Sequence, residues 1–71
     1  MDNAMLINYA DEIALAKMDI VKARRDIELN ARFGDRRGVF KAQRHLRDAK
    51  ERLSIYNYMK GIEEHESSRN S

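Results

Sequence analysis

The chain has 71 residues, 14 Lys and Arg against 12 Asp and Glu, a net charge of +2, and neither Cys nor Pro. A domain this small buries only about 60% of the surface its unfolded chain exposes, and the lack of Cys excludes disulfides and thiolate zinc sites. Association is the remaining route to a larger core.

A content of Ala, Arg, Leu, Ile, Lys and Glu without Pro favours long helices and argues against a β fold. Charge is unevenly placed. Residues 1–21 carry −3, residues 22–52 carry +6 and residues 53–71 carry −1. The start, Met1-Asp2-Asn3, is acidic and no apolar run follows, so neither a secretory leader nor a membrane span is expected. The expected location is the cytoplasm.

The first half carries a heptad. Leu6, Ile13, Ile20 and Ile27 form one row, and Tyr9, Ala16, Ala23 and Asn30 stand three residues after each. Such a stripe, sustained over several heptads, is the pattern of a helix packed along a partner helix. The spacing predicts helix one over about 4–33, capped by Asp2 or Asn3. Gly34 suits the left-handed residue that ends a helix.

The second half repeats the pattern with Val39, Leu46 and Leu53 in one row and Ala42, Ala49 and Tyr56 in the other. Helix two is expected over about 36–60, with Asp35 as its cap. Arg36 and Arg37 fall in its first turn, where they oppose the helix dipole. Gly61 reads as a C-terminal glycine, with Ile62 folding back on Tyr56. The polar segment 63–71 reads as a disordered tail, and 1–62 as the hairpin domain.

A turn at 34–35 makes the helices antiparallel. Pairing residues whose numbers sum to 69 sets Ile13 on Tyr56, Ile20 on Ala49, Ile27 on Ala42, Ala16 on Leu53, Ala23 on Leu46 and Asn30 on Val39. Most layers then oppose a large side chain to Ala, which lets helices approach closely. The seam leaves apolar residues over. Ile7, Ala14, Met18, Val21, Ile55, Met59 and Ile62 are the candidate dimer interface, and Leu15, Leu29, Phe33 and Phe40 are more loosely spread. The expected architecture is an all-α two-helix hairpin that dimerises into a four-helix bundle. The alternative is a groove for a different protein.

Chemistry is thin. Glu63, Glu64, His65 and Glu66 match a metal or acid–base cluster in composition alone, and the expected tail cannot hold their geometry. His45 reads as a surface histidine. Gly34 and Gly38 have neither the spacing nor the preceding strand of a phosphate loop. No enzyme activity, cofactor or metal is expected.

The basic stretch from Lys22 to Arg52 can meet phosphates. However, Lys22–Asp26, Arg24–Glu28, Arg44–Asp48 and Arg47–Glu51 are spaced for i,i+4 ion pairs, so much of it reads as a salt-bridged solvated face. Phe33 and Phe40 are the aromatics near it.

With its heptad rows and Gly34-Asp35 turn, the chain resembles, over roughly residues 4–62, two groups of proteins. One is the Rop-type plasmid copy-number regulators, dimeric hairpins that bind paired RNA loops. The other is the small phage or bacterial helical-hairpin regulators, anti-activators among them. The resemblance is architectural and carries no functional residue across. It implies a dimeric regulator of transcription or copy number that inhibits or modulates a host protein. The candidate partner-binding residues are Phe33, Asp35, Arg36, Arg37 and Phe40 at the turn, since Arg and aromatic side chains are favoured interface anchors. RNA binding through the basic face is the rival expectation, and a structural assembly adaptor the third.

Overall fold

The computed structural model describes residues 7–70, with side chains for residues 7–66. The chain is all-α, with two helices packed against each other: α1 (Tyr9–Arg32) and α2 (Arg36–Asn70). The rod measures 55 × 25 × 13 Å. Among the described residues, no helix is long and apolar enough to cross a membrane.

α1 starts later than its heptad pattern suggests. Asn8 is extended (φ −89°, ψ 95°), and its side-chain oxygen accepts the Asp11 N–H at 3.2 Å. That interaction satisfies one of the donors that every helix start leaves open. Asp11 and Glu12 in the first turn suit the positive end of the dipole. The expected start near residue 4 is therefore corrected: residues 7 and 8 precede the helix. Asp2, Asn3 and the heptad residue Leu6 lie outside the described residues.

The turn is as expected, with more detail. Gly34 has φ +72°, the left-handed conformation that L side chains disfavour. Its N–H donates to the Ala31 carbonyl at 3.1 Å, and the Asp35 N–H donates to the Asn30 carbonyl at 2.8 Å. These two bonds make a complete Schellman ending. Asp35 then opens α2: its carboxylate accepts the Gly38 N–H at 2.9 Å and its carbonyl accepts the Val39 N–H at 3.0 Å. One residue closes one helix and starts the next, so the connection needs no further loop.

The far end departs from expectation. α2 does not end at Gly61; it runs on to Asn70, through most of the segment expected to be a disordered tail. Gly61 lacks the positive φ of a C-terminal glycine. An exposed helical glycine costs only about 1 kcal/mol against Ala. No Pro follows to force a stop, Glu is a good helix former, and the Lys60 ammonium donates to Glu64 at 3.1 Å across the glycine. Ile62 stays exposed instead of folding back on Tyr56.

The core is the expected seam. Ala16, Ile20, Ala23, Ala42 and Ala49 are buried. Tyr9, Ile13, Ile27, Asn30, Val39, Leu46, Leu53 and Tyr56 are half-buried along the same rows. The antiparallel offset is fixed at three levels. Asn30 lies against Gly38 at the turn, Arg52 reaches Asp19 in the middle, and the Tyr9 and Tyr56 rings stand 6.1 Å apart, tilted by 41°, at the open end. A core whose buried members are nearly all Ala removes little apolar area from water, at about 25 cal/mol per Å². The larger aliphatics of the seam are only half covered.

Candidate functional site

Two helices leave two grooves beside their seam, and these differ in chemistry. Along one, α1 presents Asp19, Lys22 and Asp26 while α2 presents His45, Asp48 and Arg52. The Arg52 guanidinium donates to the Asp19 carboxylate at 2.9 Å. Both side chains are nearly half exposed, so the pair contributes roughly 0.2–1 kcal/mol. It acts more as a register mark than as a staple. Heptad positions extend this acidic and basic mixture toward the open end, where Leu15, Ile55, Met59 and Ile62 are exposed on the same side.

Along the other groove, next to the turn, stand Ala31, Asp35, Arg36, Val39, Phe40 and Gln43. Counting back by sevens from Ala31 places Arg24 and Lys17 on the same edge of α1, and counting forward from Gln43 and Phe40 places Lys50 and Arg47 on the same edge of α2. All four bases are exposed. Among the described residues the ion pairs are Arg32–Glu28, Arg52–Asp19 and Lys60–Glu64. The expected pairs Lys22–Asp26, Arg24–Glu28, Arg44–Asp48 and Arg47–Glu51 are not formed. Glu28 turns toward Arg32 instead, at 3.8 Å.

The turn residues singled out by sequence are all exposed, Phe33 at 80% and Phe40 at 71%, so neither ring contributes to the core. Asp35, Arg36 and Phe40 line one shallow groove, whereas Phe33 and Arg37 stand outside it. The Asp35 carboxylate is engaged in its own cap, which gives it a structural job.

The seven residues of the candidate dimer interface are likewise exposed. They do not form one surface. Ala14 and Val21 lie on the side of Lys17 and Arg24. Ile55, Met59 and Ile62 lie on the side of Asp19 and Arg52. Met18 points directly away from the seam, and Ile7 precedes α1.

Sequence reading missed the Asn8 cap, the Asp19–Arg52 pair and the close fit of Gly38. The pair had a signal, since both residues occupy the same flanking heptad position on antiparallel helices. Among the described residues, no three side chains of metal-ligating type converge. Glu63, Glu64, His65 and Glu66 follow one another along α2 instead of closing on a point. No family model, curated protein or solved structure matches this chain.

Proposed function

We propose that the chain is a non-enzymatic regulatory protein that acts as a homodimer and inhibits or modulates a host protein by binding it in the cytoplasm. The observation that carries this reading is the large apolar surface left open on one side of an alanine core. Leu15, Ile55, Met59 and Ile62 are exposed at 52%, 58%, 38% and 38% on the same side, while among the described residues nothing larger than Ile20 is buried. Isolated surface hydrophobics are ordinary, but contiguous apolar patches mark interaction sites. The patch of Leu15, Ile55, Met59 and Ile62 is the better dimer face, because the charges beside it already compensate one another. Two hairpins joined there make a four-helix bundle. The turn, with Phe33, Arg36, Arg37 and Phe40, then stays open for the partner at the far end.

This reading is in keeping with the resemblance to small phage and bacterial hairpin regulators, including those that act on transcription. A structural adaptor uses the same dimer without a regulatory target. Sedimentation at micromolar concentration tests the dimer: twice the chain mass is expected, and a folded monomer overturns the proposal.

A further inference from the structure

We propose that the groove edge formed by Lys17, Arg24, Arg36, Arg47 and Lys50 is a binding face for the phosphate backbone of a nucleic-acid duplex. The face shares Arg36 with the proposed partner site at the turn, and its other four bases lie outside both that site and the proposed dimer face.

Flanking positions of an antiparallel helix pair normally carry opposite charges, which select the partner and its orientation. One side of this hairpin obeys that logic, with Arg52 bonded to Asp19 at 2.9 Å. The other side violates it. In the observed register Lys17 stands level with Lys50, and Arg24 lies between Gln43 and Arg47. Like charges so placed oppose folding, so the fold does not account for them. The acids on this side are Glu28, Asp35 and Glu64: Glu28 and Glu64 are paired with Arg32 and Lys60, and the Asp35 carboxylate is engaged by the Gly38 N–H in its own helix cap. None of the five bases takes part in an ion pair among the described residues. The positive charge of this edge is thus uncompensated among those residues.

Its shape and lining select among polyanions. Lys17 and Lys50 to Arg36 spans about 20 Å at 1.5 Å per residue. The two helices hold the bases in straight rows. A duplex carries one charge per about 1.7 Å of its axis, so such a strip meets several phosphates at once. Single-strand binding relies on aromatic platforms, and the edge offers only Phe40. Insertion into a lipid surface needs a continuous apolar face, whereas the apolar residues on this side, Ala14, Val21 and Phe40, are broken up by the bases and by Gln43, Ser54 and Asn57.

The test is titration of a labelled mixed-sequence duplex of roughly 20 base pairs, as RNA and as DNA, over a series of salt concentrations. The wild-type chain is expected to bind, with affinity falling steeply as salt rises. Replacing Lys17, Arg24, Arg47 and Lys50 by Gln is expected to weaken binding at least about tenfold and to flatten the salt dependence by about three and a half units of slope. A control replacing Lys22, Arg25, Lys41 and Arg44 by Gln has the same net charge and should keep near-wild-type affinity. Equal losses in both variants, or no duplex binding by the wild type, overturn the proposal. So does binding to phosphatidylserine-containing vesicles without binding to duplex. Should the first variant lose its helicity, acetylation of the wild-type chain decides. Bound duplex should shield Lys17 and Lys50 but leave Lys22 and Lys41 reactive, and uniform shielding overturns the assignment.

Discussion

Gly38 lies so close beneath Asn30 that a Cβ on the glycine would stand 2.6 Å from the asparagine Cγ and 2.7 Å from its Oδ1. The Asp35 Oδ2 would be equally near, at 2.7 Å. The first turn of α2 therefore meets the last turn of α1 through a residue with no side chain. Gly38→Ala gains about 1 kcal/mol of helix propensity but must displace the half-buried Asn30 and disturb the Asp35 cap. The expected outcome is a net loss of stability. In an Asn30→Gly background the same substitution should cost less or become favourable. Equal effects in both backgrounds, measured by thermal unfolding, would show that the contact does not constrain the turn.

The other two glycines should respond with opposite signs. Gly34 has a positive φ, where an L side chain costs about 1–2 kcal/mol. Gly61 is helical, and a Cβ added there would meet nothing within 4 Å, so Gly61→Ala should stabilise by about 0.4–1 kcal/mol. Chemical denaturation of the two variants checks the contrast. A stabilising Gly34→Ala would contradict the Schellman ending.

Ala49 and Ala23 are buried in the seam, 0% and 4% exposed, whereas Leu15 is 52% exposed. Ala49→Leu or Ala23→Leu should cost about 1–3 kcal/mol through overpacking. Leu15→Ala should cost less in the hairpin itself. Melting temperatures that match wild type in all three variants would argue against the register.

Charge placed on the proposed dimer face should separate the protomers. Ile55→Glu or Leu15→Glu is expected to lower the sedimenting mass to that of one chain, and Val21→Glu, on the opposite side, to leave the dimer intact. A dimer that survives the first pair and dissociates with the third would move the interface to the basic edge.

Arg36→Ala with Arg37→Ala should abolish capture of the protein partner while leaving helicity and sedimentation unchanged, because both side chains are exposed and neither enters the seam. Capture should survive nuclease and moderate salt. Loss of capture on nuclease treatment would assign the turn to nucleic acid instead.

Features that are periodic or local were legible in the amino-acid order alone. The heptad rows named the buried alanines and the half-buried Ile and Leu, because two long helices can each hide a stripe only along a seam of steady apolar spacing. Gly34 and Asp35 declared the turn through conformational preference and capping chemistry, which act within a few residues. Helix ends were legible only in part. A cap such as Asn8 competes with equally suitable neighbours such as Asn3, and Gly61 weakens a helix by too little energy to end it without a second signal. The heptad tells which flank of the seam a residue lies on, and the packing of α1 on α2 decides which flanking residues stand level. Arg52 meets Asp19 across 33 residues of chain, a match that depends on the register of the two helices. The same packing brings Lys17 level with Lys50 and sets Gly38 so close to Asn30 that a Cβ at position 38 would have to displace the asparagine side chain.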